Sequence, residues 1–254
     1  MIPKVIHYCW FGGNLKSAAI EHYINTWKNV LHGYEIVEWN ETNFDVNSTV
    51  WTKEAMDCHK YAFVSDYVRL KVLYEHGGIY LDTDVEVLRP FDKLLDLPYF
   101  IGAENTIHGI NTATIGVEPK KHWIKQCLNH YYGRHFIVNG RMDIRVNPEL
   151  IKDCLLKYGY NIKYISSMNE FSLQPADFCI FPASWFSPIK KGVCLANEST
   201  YAIHRYTGSW GYKMNWRKRM TNKIKDWAKA ILPSSITTYI LKQKKIKRDK
   251  QFIS

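Results

Sequence analysis

Two carboxylates stand two residues apart at the end of an apolar run, Gly77-Gly78-Ile79-Tyr80-Leu81-Asp82-Thr83-Asp84. On a strand, positions i and i+2 face the same side, so Asp82 and Asp84 are expected to aim together while Thr83 points away. Paired hard oxygens suit Mg²⁺ or Mn²⁺, which keep waters and complete their shell with a substrate phosphate. Upstream, Ser65-Asp66-Tyr67-Val68-Arg69 sets a carboxylate and a guanidinium three residues apart, neighbours on one helix face. The chemistry implied is a divalent cation holding a diphosphate, with Asp66 on a sugar or ribose hydroxyl and Arg69 on phosphate or sugar. The plainer alternatives are a loop-capping acidic pair and a surface ion pair.

Two further clusters carry chemical side chains. Trp10 closes an apolar segment beside Gly12-Gly13, where a flat ring either packs in the core or stacks on a base approaching over the glycines. Ile203-His204-Arg205-Tyr206-Thr207-Gly208-Ser209-Trp210 offers an imidazole, a hydroxyl and an indole N–H. His204 is either a satisfied core histidine or a third metal ligand, and Ser209 and Trp210 are either packed or donors to a leaving diphosphate.

The elements that must position these groups follow from periodicity. Lys4 to Trp10 reads as a buried strand, and Ser17 to Leu31 as a helix with Ile20, Ile24, Trp27 and Leu31 on one face. Tyr34 to Trp39 alternates as a strand, Phe63 to Tyr74 is helical, and Ile79 to Leu81 is the next strand. Strand, helix, strand, helix, strand over the first third of the chain predicts a parallel α/β sheet. Beyond Pro90, strands are expected at Tyr99–Ala103, Thr112–Val117, Phe178–Pro182 and Thr200–His204, with helices at Lys120–Tyr132 and Asn147–Tyr158.

Charge divides the chain. Residues 1–212 hold 21 Lys and Arg against 22 Asp and Glu, whereas 213–254 hold 13 against 2. The expected division is a catalytic body over 1–212 and a basic appendage over 213–254, with helices at Met214–Leu232 and Ile236–Arg248. From Trp216 the apolar residues recur at helical spacing among cations, the pattern of an interfacial helix on an anionic membrane. The bland alternative packs that stripe on the body. Nucleic acid is not expected, because the body lacks a basic groove. The six cysteines are scattered without a CxxC pair and read as reduced. Met1 to His7 reads as a strand rather than a leader, and no apolar run reaches the roughly 18–20 residues of a spanning helix. The expected location is cytoplasmic, peripheral on the inner face of the cytoplasmic membrane.

Taken together, Ile6-His7-Tyr8-Cys9-Trp10-Phe11-Gly12-Gly13, Ser65-Asp66-Tyr67-Val68-Arg69-Leu70 and Gly77 to Val85 resemble bacterial glycosyltransferases of the DXD sugar-binding group. That group is glycosyltransferase family 32, capsular-polysaccharide and α-mannosyltransferase-like, whose core is shared by clostridial glucosylating toxins. Gly102-Ala103-Glu104-Asn105 and His204 to Trp210 match more weakly. The resemblance implies a GT-A-like, Rossmann-like α/β domain. It implies Trp10 on the nucleotide base, Asp66 on ribose or sugar hydroxyls, Arg69 on sugar or phosphate, Asp82 bridging sugar, ribose and metal, and Asp84 ligating the metal. It places His204 as a late metal ligand, Ser209 and Trp210 on the diphosphate, and Glu104, Asn105 and Asn111 in the sugar or acceptor pocket.

The implied reaction moves a hexose from a nucleotide-diphosphate sugar, a UDP-sugar ahead of GDP-mannose, with Mn²⁺ or Mg²⁺ and retention of configuration. The expected acceptor is a lipid-linked oligosaccharide of O-antigen or capsule synthesis. Alternatives are a toxin-like protein glycosyltransferase and a non-catalytic sugar-nucleotide or membrane-binding module. Specificity is expected between Tyr99 and Asn111 and between Phe178 and Pro188.

Overall fold

The computed structural model describes residues 1–104 and 109–207. Asn105, Ser209, Trp210, the boundary near Tyr212 and both tail helices lie outside the described residues.

The chain opens as strand β1 (Val5–Cys9), helix α1 (Ala18–Val30), strand β2 (Glu35–Trp39), helices α2 (Val50–Asp57) and α3 (Tyr61–His76), and strand β3 (Gly78–Leu81). A short β4 (Val85–Val87) precedes β5 (Tyr99–Ala103) and β6 (Ile110–Val117). Helix α4 (His122–Asn129), a hairpin of β7 (Ile137–Val138) and β8 (Arg141–Met142), and helix α5 (Asn147–Lys157) follow. Last come β9 (Asn161–Tyr164), β10 (Asp177–Ile180), α6 (Ala183–Phe186), the pair β11 (Ile189–Lys190) and β12 (Val193–Cys194), and β13 (Ala202–His204).

The central sheet runs β2-β1-β3-β6-β5. β1 is parallel to β2 and β3, as the early alternation predicts. β6 runs antiparallel to both β3 and β5, so the sheet is mixed and the expectation of a parallel sheet holds only for its first three strands. The reason is the connection. Only six residues, 104–109, separate β5 from β6, fewer than the crossover connection that a parallel neighbour requires. Helix α2, the β7–β8 hairpin and β9 were not expected from periodicity.

Strand alternation divides the core. Ile6, Tyr8, Ile79 and Leu81 pack with α1 residues Ile20, Ile24 and Trp27 on one face. Cys9 and Tyr80 point to the other, against α3 residues Val64, Val68, Leu70 and Leu73 and the buried sides of α4 and α5. Helix α1 starts where the Ser17 hydroxyl accepts from Ile20 N–H, and its Trp27 indole donates to the Val85 carbonyl at 2.7 Å, tying α1 to β4. Helix α3 ends at Gly77-Gly78. Gly78 has φ +91°, and a Cβ there would sit 2.6 Å from the Val5 carbonyl oxygen, so only glycine lets β3 enter the sheet beside β1.

His7, almost fully buried in β1, fastens this junction. Its Nε2 lies 3.0 Å from the Gly77 carbonyl oxygen, and its Nδ1 accepts from the Trp39 indole at 3.1 Å. The proton therefore sits on Nε2 of a neutral ring. Burial is the main cause of its pKa falling to about 4, assisted by His76 and opposed by the Gly77 bond. The unfolded ring titrates at the higher value of about 6.5, so the unfolded chain binds the proton first. Stability from this site is complete above pH 6.5 and is lost as pH falls towards 4. Denaturant unfolding should show His7 costing about 2 kcal/mol between pH 7 and pH 5. A His7→Gln variant with the same pH slope as the parent would refute this.

Candidate active site

Arg69 is 5% exposed, in the second half of α3. One terminal nitrogen donates to the Thr112 carbonyl of β6 at 2.6 Å. The other stands 3.2 Å from Asp66 Oδ1 and 3.1 Å from Asp82 Oδ1. The guanidinium carbon lies 4.5 Å from the centre of the Tyr80 ring. The surface-pair alternative is therefore excluded: this is a buried bridge that holds two carboxylates from α3 and β3 at one point. Burial pushes the Asp66 carboxyl up, and Asp82 adds to the rise. Arg69 and the Asn147 amide groups oppose it, leaving Asp66 at about 6. The Arg69 pKa is raised because its carboxylate neighbours outweigh its burial.

Asp82 and Asp84 differ from the expected strand geometry. β3 ends at Leu81, and the pair occupies a tight turn closed by Val85 N–H donating to the Asp82 carbonyl at 3.0 Å. The turn, not the pleat, makes them converge. Thr83 is buried, pointing away from solvent. Strand β13 pairs antiparallel with β4, opposing His204 to Val85, and so delivers the imidazole beside Asp84. His204 Nε2 stands 3.5 Å from Asp84 Oδ1. Thr207 donates to Asp84 Oδ2 from its N–H at 2.8 Å and its hydroxyl at 3.2 Å. Burial pushes the Asp84 carboxyl up, but His204 and Thr207 outweigh it and hold the group below its ordinary value.

One ligand atom each from Asp82, Asp84 and His204 fall within 4.8 Å of one another. With Asp66, three aspartates gather here and Arg69 pairs with two of them, Asp66 and Asp82, which leaves the cluster short of positive charge. His204 Nδ1 is buried without a partner among the described residues. Two carboxylates, one imidazole and unbalanced negative charge fit a divalent cation of the Mn²⁺ or Mg²⁺ type.

A cavity of about 550 Å³ opens over this cluster, walled by Asp66, Arg69 and Asp82 on one side and by Glu104, Gly109, Ile110 and Thr112 on another. The third wall is the start of α5, Val146 to Glu149 with Lys152. The expected specificity stretch Tyr99–Asn111 supplies part of the lining, but Phe178–Pro188 supplies none, because Phe178, Phe181 and Phe186 are packed into the core. Asn111 is likewise displaced from its expected place in the pocket. It is buried in β6, with Oδ1 accepting from Ala113 N–H at 2.8 Å, while its neighbours Ile110 and Thr112 face the cavity. Trp10 is half-buried at the end of β1, its indole donating to the Asn14 carbonyl at 2.7 Å and Lys16 Nζ 5.4 Å from its ring centre. It does not line the cavity. Glu104 does, and its Oε1 is 3.5 Å from the Tyr206 hydroxyl.

Sequence reasoning missed Asn147 and Thr207. Asn147 is 1% exposed at the start of α5, and its Nδ2 donates to the Asp66 backbone carbonyl at 3.0 Å. A signal existed in Asn147-Pro148-Glu149, a helix-opening pattern with proline in the first turn. Thr207 had none beyond its closeness to His204.

Residues 17–101 match the family described as glycosyltransferase sugar-binding region containing DXD motif. That stretch holds Asp66, Arg69, Asp82 and Asp84. Inositol phosphoceramide mannosyltransferase 3 of Schizosaccharomyces pombe is 32% identical over 121 residues, 42% of this chain and 33% of that protein. The uncharacterized glycosyltransferase L373 of Acanthamoeba polyphaga mimivirus is 29% identical over 226 residues, 83% of this chain and 84% of that protein. Among solved structures, a glycosyltransferase involved in glycosylation of the major capsid of PBCV-1 aligns with TM-score 0.48 and 14% identity, over 82% of this chain and 96% of that one. The chain spans between 10% and 52% of the first three curated relatives it matches.

Removing one member of a buried charge cluster leaves the others unpaired. Arg69→Met should cost roughly 3–5 kcal/mol in denaturant unfolding. Asp84→Asn should cost less than that, because the cluster carries surplus negative charge, while weakening Mn²⁺ binding, read by calorimetry, by at least about tenfold. Equal Mn²⁺ affinity in the two proteins would remove Asp84 from the metal site.

Proposed function

We propose that this chain, a glycosyltransferase by its sugar-binding region, moves a hexose from a nucleotide-diphosphate sugar to a hydroxyl of a lipid-borne acceptor. The observation that carries the reading is the convergence of Asp82, Asp84 and His204 beside a cavity that Asp66, Arg69 and Asp82 line. Mixed α/β architecture with the acidic turn at the end of β3 is compatible with a GT-A-like domain. A bound Mn²⁺ or Mg²⁺ would act as Lewis acid on the departing diphosphate.

The chain's own residues do the rest. Asp66 and Asp82, fixed by Arg69, present oxygens to sugar and ribose hydroxyls without reorganising. Glu104, Asn147 and Lys152 wall the space where the acceptor hydroxyl enters. Trp10, just after the end of β1, would stack on the nucleotide base, a role that the resemblance of the motifs supports. Ser209 and Trp210 on the diphosphate, retention of configuration, and the preference for a UDP-sugar over GDP-mannose remain part of the proposal, supported by the resemblance of the motifs.

The acceptor reading draws on two supports. The S. pombe relative is named for a phosphoceramide substrate, a polar head on a hydrophobic anchor. The basic segment 213–254 suits an anionic membrane surface. A lipid-linked oligosaccharide of O-antigen or capsule synthesis has the same chemistry, and a cytoplasmic, membrane-peripheral location belongs to the same proposal. Among the described residues, no helix is long and apolar enough to cross a membrane.

The test is nucleotide release from UDP-glucose, UDP-galactose, their N-acetyl forms and GDP-mannose, with Mn²⁺ or with EDTA. Release from one donor that stops with EDTA is expected, and Asp82→Ala should lower it by on the order of 100-fold or more. Release that persists in EDTA would overturn the metal assignment. Donors that neither react nor bind in calorimetry would overturn the transferase reading.

A further inference from the structure

The hairpin β7–β8 and the segment that leads from it into α5 are patterned the wrong way round for a surface facing only water. Five apolar side chains are exposed within residues 137–146: Ile137 at 39%, Val138 at 51%, Met142 at 44%, Ile144 at 68% and Val146 at 45%. From Met142 the chain continues outside any helix to Val146, which is itself in extended geometry, so the apolar residues at 142, 144 and 146 alternate with Asp143 and Arg145. Those intervening charges are tied back to the body: Asp143 to Arg134, and Arg145 to Asp153. Charges are held by the protein while hydrocarbon is offered to the outside.

The hairpin is firmly based. Phe136 is fully buried against Trp51, with ring centres 5.1 Å apart. Glu54 Oε2 accepts from the N–H groups of Phe136 and Ile137 at 2.8 and 2.9 Å, and Asp143 N–H donates to the Phe136 carbonyl at 2.7 Å. Asn139 and Gly140 take left-handed conformations, φ 51° and 72°, which is the two-residue turn that keeps a hairpin tightly twisted. At the tip stands Arg141, exposed and paired with Val138 across the ladder. It has no ion-pair partner among the described residues.

We propose that this apolar hairpin is a membrane-contact element that sinks into the surface of an anionic bilayer and sets the mouth of the active-site cavity against it. Two observations select a lipid surface over a protein partner. Exposed Val and Ile beside an unpaired arginine match an interface where hydrocarbon lies under anionic headgroups. The apolar strip also runs without a break into the cavity: Val146 belongs to both, and Asn147 and Glu149 of the lining follow it directly. A lipid-borne acceptor held in that bilayer would present its polar head at the α5 wall. The cavity's orientation and its cargo rest on the function proposed above, whereas the membrane contact itself rests on the exposed hydrocarbon and Arg141.

The experiment is vesicle co-sedimentation of the full chain with phosphatidylcholine vesicles, with and without phosphatidylglycerol, in low salt and in about 1 M salt, where charge attraction reaches only some 3 Å. The full chain retains its basic C-terminal segment, so the high-salt arm isolates the apolar contribution. The variant Val138→Ser/Ile144→Ser replaces two exposed side chains outside the cavity lining. Its partition in high salt should fall by on the order of tenfold or more. Its thermal unfolding and its affinity for donor nucleotide should match the parent's. Arg141→Glu should weaken binding to the anionic vesicles only. Parent-like partition of the double variant, or absence of parent binding to either vesicle, would overturn the proposal. So would a parent dimer in size-exclusion chromatography that the double variant abolishes, since the strip would then join two copies. Unchanged nucleotide affinity keeps each of these outcomes separate from the fate of the transferase reading.

Discussion

The buried guanidinium of Arg69 is the constraint around which the site is built. Taking such a charge out of water costs several kcal/mol unless its donors find good acceptors, and both terminal nitrogens do, although Nε is buried without a partner among the described residues. Here the acceptors come from three elements: Asp66 of its own helix, Asp82 after β3 and the Thr112 carbonyl of β6. A planar fork can reach all three at once, and an ammonium on a flexible stem cannot. Helix α3 is thereby fixed in rotation and height against the sheet. The positions of the acidic turn, the cavity floor and the start of α5 follow from that.

The same arrangement leaves a charge problem that the fold does not solve alone. Asp66, Asp82 and Asp84 gather here, while Arg69 pairs with the first two. Asp66, pushed up chiefly by burial and further by Asp82, sits at about 6. Asp84 is held below its ordinary value only by borrowing His204 and Thr207 from the far end of the described chain. That borrowing explains β4 and β13, a two-stranded ladder outside the main sheet whose register sets His204 opposite Val85. Local electrostatic strain of this kind marks a site kept for ligand chemistry at some expense to stability.

Most of the frame was legible in the sequence because it depends on local rules. The helical spacing of Ile20, Ile24, Trp27 and Leu31, the glycine stop after α3 and the alternation in β2 each state one element. The antiparallel half of the sheet was not legible, since it depends on how the chain connects across residues 104–109 and not on the pattern within β5 or β6. At the site, Asp66, Arg69, Asp82, Asp84 and His204 were found from residue type and spacing, and the structure brings them together. Asn111 was misplaced because alternation along β6 sends its two neighbours, and not Asn111 itself, to the cavity. Asn147 was missed because its importance is tertiary: a helix start is visible in the sequence, but the carboxylate it meets lies on another helix. The hairpin shows the same limit, for Asn139-Gly140 is a readable turn, whereas the ion pairs that turn its apolar side outward are not.

Topology gives an independent reason for the site to lie where it does. The chain leaves β1 through α1 to β2 on one side, then returns to place β3 on the other side of β1. Successive connections therefore diverge between β1 and β3, and a crevice opens beyond the carboxyl ends of those two strands, where ligands of open α/β sheets bind. Trp10 follows β1 directly and Asp82 follows β3 directly, so both border that crevice although only Asp82 lines the described cavity. The cavity extends away from it towards α5. A donor spanning both regions would set its base near Trp10, its diphosphate at the acidic turn and its sugar against Asp66, leaving the α5 side open for the acceptor. On the proposed reading, the switch point would put donor and acceptor at opposite ends of one cleft, with the apolar hairpin beside the end reserved for the acceptor.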